Sequence, residues 1–374
     1  MKHLFFSFLS LFTLAACTSP VPPPPVSPLV FVGTYTQKLG HVDGKASGIY
    51  VCRLDLKSGA LTVVDSTTDI ANPSFLTLSP NKTRLYAVGE NGGKPGQPFG
   101  SVAAYQVSPE GKLTKINEVP SYGVAPCHIS TDLLGQFVFV ANYGTGNLLS
   151  YGIRPDGGLT DSLDQEQHIG AHPWAHQALT SPDNHLLWAV DKGVDRVFAY
   201  DLDTNGRLAL SATLSLPKDA GPRHLDFCPA DPSLMAVINE VNSSVLTFRF
   251  DSQSRQFTRL DSLSTLPTGS ASNNSCADLH FHPNGRFLYG SNRGHDSIVI
   301  YAVDPATGRL TLVGHQLAGG AVPRNFMLTP DGKWLLVAHQ NSGTVSAFRV
   351  DEASGRLTPT GAPSRVATPV CLKM

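Results

Sequence analysis

The chain has 374 residues, and its 28 Lys and Arg against 29 Asp and Glu leave a formal net charge of −1. With no basic excess it offers no electrostatic footprint for nucleic acid, and the lack of any long 3.6-residue apolar periodicity excludes a helical bundle. Its 34 Gly and 28 Pro punctuate short runs instead, the composition of an all-β body.

Residues 1–16 combine a basic start at Lys2 with an apolar run too short to span a bilayer and small residues before Cys17, the pattern of an export signal. The ending Leu14-Ala15-Ala16-Cys17 resembles the lipobox of bacterial lipoproteins. The expectation is therefore an envelope protein lipidated at Cys17 and touching the membrane only through that anchor, with plain secretion as the alternative. Residues 18–28 form a proline-rich linker, which polyproline II geometry extends by ~3.1 Å per residue into a stand-off. In a Gram-negative host, Thr18 after the lipidated Cys resembles the sorting pattern of outer-membrane lipoproteins facing the periplasm. The other cysteines, Cys52, Cys127, Cys228, Cys276 and Cys371, are odd in number and widely spaced. They predict small buried fillers, with neither a disulfide framework nor a zinc site.

The stretch Cys276 to Tyr301, CADLHFHPNGRFLYGSNRGHDSIVIY, is the clearest copy of a pattern that recurs along the chain. It holds an alternating run, a Pro-Asn-Gly turn, a second run at Phe287 to Tyr289, a Gly-bearing polar turn and a third run from Ile298 to Tyr301. That reads as an antiparallel meander. Its first strand aligns with starts at Pro73, Pro126, Pro173, Pro222, Pro323 and Pro369, and a period of roughly forty to fifty-five residues carrying several short strands is the signature of a β-propeller blade. The start at Pro369 runs out of chain, while LVFVGTY from Leu29, GIYVCRL from Gly48 and GALTVVD from Gly59 supply the strands it lacks. The prediction is a seven-bladed β-propeller over residues 29–374, closed by pairing of the N-terminal blade strands with the C-terminal strand. Six or eight blades are the alternatives.

In a meander, the start of the first strand and the end of the second lie on the same edge, so each blade should deliver both positions to one mouth of the central channel. The first ring reads His128, His176, Arg223 with His224, Asp278 with His280, and Arg324 with Asn325. The second reads Tyr35, Glu90, Asn142 with Tyr143, Asp191, Glu240, Arg293 and His339. Arginines, histidines and carboxylates gathered in a concave mouth point to a polar site, although any one such residue could equally serve turn or inter-blade hydrogen bonds.

The runs GPRHL around Arg223, Asn239-Glu240, ADLHFHPNGRFLYGSNRGHDSI and PDGKWLLVAHQNSGTVSAF resemble the lactonase family of seven-bladed propellers, which includes the propeller-type 6-phosphogluconolactonases and the carboxy-muconate lactonising enzyme. The resemblance covers nearly all of the chain after the linker. It implies a lactone hydrolase with His176, Arg223, Glu240 and Arg293 as the catalytic set. His128, Asn142, Tyr143, Trp174, Asp191, His224, Asp278 and His280 are expected around the substrate. Two departures from the family pattern stand out: Trp174 occupies a position where the family usually has His, and Asn325 another. Trp174 suggests a ring or apolar face in the ligand.

Lactone hydrolysis requires an activated water, a place for the oxyanion and a proton for the leaving alkoxide. Glu240 or His176 is expected as the base and the other as the proton manager, with Arg223 and Arg293 holding the oxyanion or an anionic substituent. No Gly-x-Ser-x-Gly nucleophile elbow occurs, and neither a cofactor nor a metal is expected. Asn142, Asp191, Glu240 and Asp278 could in principle gather around calcium, but the neighbouring arginines would repel it. Export strains a cytoplasmic phosphorylated substrate, leaving a sugar lactone or a carboxylated lactone as the expected small-molecule partner of a monomeric enzyme. A non-catalytic envelope scaffold and a muconate-type cycloisomerase remain as competing readings.

Overall fold

The computed structural model describes Met1, residues 27–270 and residues 273–374. The expected signal segment after Met1, Cys17 and the linker as far as residue 26 lie outside the described residues. Every regular element among those described is a strand; apart from one short hairpin, Lys38–Leu39 with Val42–Asp43, the strands form seven antiparallel sheets ordered from an inner strand outward. We number these blades from the first complete one. The inner strands of blades 1 to 7 are Leu76–Leu78, Pro126–Thr131, Ala175–Thr180, Pro222–Cys228, Ser275–Phe281, Pro323–Leu328 and Pro369–Lys373. The second strands are Arg84–Gly89, Phe137–Asn142, Leu186–Asp191, Asp231–Asn239, Phe287–Arg293, Trp334–His339 and Leu29–Thr34. Blade 6 has a broken outer strand, Leu357–Pro359 followed by Ser364–Arg365, because Pro359 and Pro363 lack the N–H that a continuous ladder needs.

Blade 7 joins the two ends of the propeller, as the incomplete seventh repeat predicts. Val32 lies opposite Leu372 and Gly33 opposite Cys371, while the N-terminal strand pairs on its other side with Ile49–Leu54. A side chain at Gly33 would meet the Pro73 carbonyl oxygen at 2.7 Å, so glycine there lets blade 7 approach blade 1, where the Thr34 N–H donates to that same carbonyl at 2.8 Å. Blade 1 starts its inner strand only at Leu76, later than the repeat predicts, since Pro73 is occupied with this junction.

Apolar residues of alternate strand positions pack in clusters that bridge adjacent blades, as where Trp334 and Leu336 of blade 6 meet Val30 and Leu372 of blade 7. Polar ties repeat between neighbours. The Tyr86 hydroxyl donates to the Gly157 carbonyl at 3.0 Å, Ser150 to Gly206 at 2.6 Å, Thr247 to Gly308 at 3.0 Å and Tyr289 to Gly355 at 2.9 Å. Each acceptor is the turn glycine that introduces the next blade's outer strand, which gives the recurrent Gly-x-Leu motif, followed by Thr at Gly157, Gly308 and Gly355, its structural use. Gly355 shows why the residue is glycine: its φ is +71° and an added Cβ would strike the Phe287 ring at 2.4 Å. All five described cysteines are buried free thiols, matching the filler reading.

Deleting residues 369–374 should abolish cooperative folding. The deletion removes buried Val370, Cys371 and Leu372 and bares the Leu29–Thr34 edge; at about 1.5–3 kcal/mol per buried Val or Leu, the loss approaches the whole stability of a typical domain, ~5–15 kcal/mol. Thermal unfolding followed by circular dichroism checks this, and a sharp transition at the wild-type temperature would refute it.

Candidate active site

Two features of the repeat build the site. The inner strands of blades 2, 3, 4 and 6 carry a bulge one residue after their first proline or alanine: pairing jumps from Pro126 to His128, Ala175 to Gln177, Pro222 to His224 and Pro323 to Asn325. The skipped residues are Cys127, His176, Arg223 and Arg324. A bulge turns its extra residue out of the ladder, and all four line one cavity of about 380 Å³ at a mouth of the channel. The second strands end in a two-residue unit, Asn142-Tyr143, Asp191-Lys192, Asn239-Glu240 and Asn292-Arg293. Its second members, Tyr143, Lys192, Glu240 and Arg293, line the same cavity, as do Glu90 and His41.

Glu240 is the hub. Its Oε1 lies 2.5 Å from Lys192 Nζ, and its Oε2 lies 3.0 Å from Arg223 Nε and 2.9 Å from Arg293 Nη2. These groups come from blades 3, 4 and 5, and the Glu240 side chain is 14% exposed. Backbone carbonyls fix the guanidiniums independently: Arg223 Nη1 donates to Ala277 at 2.7 Å, and Arg293 donates to Ser275 at 3.1 Å and Cys276 at 2.9 Å. Burial alone would raise the Glu240 carboxyl, but Arg293, Arg223 and Lys192 hold it far below the usual carboxylate range. Burial, Arg293 and Arg324 lower Arg223 to about 10, so it stays cationic at neutral pH. On the far side of the cavity the buried Tyr35 hydroxyl donates to Glu90 Oε2 at 2.8 Å, and the Arg324 guanidinium sits 5.5 Å from the Tyr35 ring centre.

His176 is 5% exposed. Its Nδ1 is sealed from solvent with no hydrogen-bond partner. Burial, reinforced by Arg223, His224, Arg324 and Lys192, holds the imidazole well below its ordinary value of 6.5. It is therefore neutral at physiological pH and can accept a proton, whereas Glu240, bound by three cations, is a poor base. At the rim Trp174 stacks on Tyr143 with ring centres 5.7 Å apart at 18°, and Lys192 Nζ lies 5.8 Å from each ring centre. This is an exposed aromatic platform beside the cations.

The structure brings His176, Arg223, Glu240, Arg293 and Tyr143 together and divides the remaining expected residues. Asn142 and Asp191 are fully buried turn-builders. Asn142 Nδ2 donates to the Ser121 carbonyl at 2.9 Å, while Asp191 accepts from the N–H groups of Trp174 and Gly193 at 2.8 and 2.9 Å and lies 2.6 Å from His168 Nδ1. The cavity-facing member of each pair is the residue that follows, which is how reading Asp191 missed Lys192. His128, His224, Asp278 and His280 line a different cavity, of about 430 Å³. The residues after the bulges of blades 2, 3 and 4, His128, Gln177 and His224, line that second cavity, so grouping Arg223 with His224 at one mouth joined two residues that the bulge separates. Among the described residues, no cluster of three or more His, Cys, Asp or Glu side chains could hold a metal ion.

Comparison with known proteins agrees with this geometry. Residues 29–374 match the family model described as "Lactonase, 7-bladed beta-propeller". The chain is 32% identical over 305 residues to the 6-phosphogluconolactonase of Bacillus subtilis, covering 79% of this chain and 84% of that protein. It is 32% identical over 322 residues to a 6-phosphogluconolactonase of Formosa agariphila, covering 80% and 86%. Among solved structures, the periplasmic gluconolactonase PpgL of Pseudomonas aeruginosa superimposes with a TM-score of 0.82 at 31% identity, over 92% of this chain and 98% of that one. Ring closure, blade architecture and sequence thus converge, and the chain belongs to the seven-bladed β-propeller lactonase family.

Proposed function

We propose that this protein is an exported, lipid-anchored, monomeric enzyme that hydrolyses the lactone of a sugar acid without a metal. As a family member it is a lactone hydrolase, a carboxylic ester hydrolase whose substrate is a lactone. The observation that carries the narrower reading is the joining of Lys192, Arg223 and Arg293 by Glu240 beside neutral His176. In this mechanism His176 takes a proton from water as its oxygen bonds to the lactone carbonyl carbon. The carbonyl oxygen becomes an oxyanion facing Arg223 and Arg293, and Glu240 holds those guanidiniums in place. The bond from that carbon to the ring oxygen then breaks, and imidazolium His176 returns its proton to the leaving alkoxide. The product acid ionises to a carboxylate, a second anion that the same cations accommodate.

Four cationic residues against two carboxylates around the cavity favour an anion, and the Trp174 and Tyr143 platform suits the C–H face of a sugar ring. Export is supported by the sequence of residues 1–17 and by likeness to a protein described as periplasmic. It makes a non-phosphorylated sugar lactone the preferred substrate. A phosphorylated one is the second reading, favoured by Arg324, which makes no ion pair within the cluster and could meet a phosphate. The monomer reading rests on a ring that one chain completes by itself.

A panel of glucono-δ-lactone, its 6-phosphate and an unsubstituted aliphatic δ-lactone, assayed at constant pH with and without EDTA, tests this. The sugar lactones should be turned over with or without chelator, the aliphatic one at least tenfold less efficiently. His176→Gln and Arg223→Met should each lose about 10²-fold or more in kcat. No lactone hydrolysis, or unchanged variants, would refute the assignment.

The acid limb of kcat should fall below pH 6.5, because the folded site disfavours imidazolium at His176. Removing one repelling cation in Arg324→Gln should move that limb upward, and a downward shift would contradict the electrostatic account.

Replacing Cys17 with Ser should move the protein from the membrane pellet to the soluble envelope fraction. Wild-type protein found already soluble would overturn lipidation.

A further inference from the structure

Below the catalytic cavity the channel holds a chain of buried groups that the mechanism above leaves unused. Asp278 is 1% exposed. Its Oδ1 lies 2.7 Å from His224 Nδ1, and its Oδ2 accepts from Asn325 Nδ2 at 2.5 Å and the Phe326 N–H at 3.2 Å and lies 3.2 Å from His280 Nε2. An ionised carboxylate only accepts hydrogen bonds, so the His224 proton must sit on Nδ1. Burial and Arg223 keep His224 neutral, lowering it to about 4 against the pull of Asp278. Its Nε2 is therefore a bare lone pair, and it is sealed without a partner.

The complementary orphan is next to it. His176 Nδ1 is also sealed without a partner, and the His176 and His224 ring centres are 5.3 Å apart. An N–H···N bond of about 3 Å between two imidazoles puts their ring centres roughly 5 Å apart, so modest ring rotation joins them. His128 is the less complementary neighbour: its ring centre is farther from that of His224, at 5.6 Å, its Nδ1 already accepts from the Ala178 N–H at 3.4 Å, and neither of its nitrogens is a sealed orphan. Leaving a buried nitrogen unpaired is costly because its lone pair or proton has been taken from water with nothing in exchange, and a single N–H···N bond satisfies both orphans.

We propose that Asp278 and His224 are positioning residues that fix the tautomer of His176, in an Asp–His–His chain running up the channel from blade 5 through blade 4 to blade 3. With its proton held on Nδ1 by His224, His176 presents the Nε2 lone pair to the attacking water. The roles are those of an orienting acid and a base, with a second imidazole between them. The role of the chain in catalysis rests on His176 being the base for lactone hydrolysis; the tautomer itself does not.

Long-range ¹H–¹⁵N spectra of the ¹⁵N-histidine-labelled protein at pH 7.5, with His176 assigned by its loss in His176→Gln, read the tautomer directly. The expected result is the Nδ1–H form in the wild type and a shift toward Nε2–H in His224→Phe. That variant should lose about 10²-fold in kcat with KM little changed. His224→Gln, whose amide oxygen can accept the same N–H, should recover part of the loss. An Nε2–H tautomer in the wild type, or full kcat in His224→Phe, overturns the proposal. An Nδ1–H tautomer in a protein that hydrolyses no lactone upholds the chain and overturns the functional reading instead.

Discussion

One carboxylate organises the active end of this propeller. Glu240 faces two guanidiniums and an ammonium drawn from three blades, and each of those cations would cost several kcal/mol to bury alone. A cluster of this kind is weak evidence for stability, since well-packed apolar residues would serve a core as well or better. Its value is positional. The carbonyls of Ser275, Cys276 and Ala277 and the Glu240 carboxylate together leave the arginines little freedom, so donors are in place before charge develops on a substrate. The same field explains the division of labour: it depresses Glu240 too far to act as a base and keeps His176 neutral, which makes it able to act as one.

The bulge is the second device. Without it, Arg223 and His224 would alternate across the blade as ordinary strand neighbours. With it, the skipped residue is turned to the upper cavity and the next one to the channel interior. One local irregularity, repeated around the ring, sorts the polar residues into a catalytic layer and a supporting layer beneath it. Asp278 belongs wholly to the supporting layer, receiving hydrogen bonds from blades 4, 5 and 6. Asn325 links this layer to ring closure, since its Oδ1 accepts the Leu372 N–H of blade 7 at 2.7 Å.

The fold was legible because each blade repeats the same punctuation, and because the strands missing after Pro369 could be found at Leu29, Gly48 and Gly59. His176, Arg223, Glu240 and Arg293 could be reached by motif and by ring position together. What the sequence concealed was depth. A period-2 reading cannot reveal that a strand slips by one residue at its start, so His128, His224, Asp278 and His280 were grouped with a mouth they do not line. At the end of blade 3's second strand the last paired residue is a buried turn-builder and the residue after it faces the cavity, which is why Asp191 stood in for Lys192. Aligning the pairs Asn142-Tyr143, Asp191-Lys192, Asn239-Glu240 and Asn292-Arg293 carries the signal that would have identified it. His41 arrives from a short hairpin, Lys38–Leu39 with Val42–Asp43, that lies outside the repeat, so no periodicity pointed to it.

The central claim is that Glu240 acts by holding cations for an oxyanion and not by accepting a proton. Steady-state hydrolysis of a sugar lactone by Glu240→Gln, with the fold verified by circular dichroism, tests this most directly. The account predicts a fall of about 10²-fold or more in kcat with the acid limb of the pH profile still present, because His176 still titrates. Wild-type turnover, or loss of the acid limb together with activity, would contradict it.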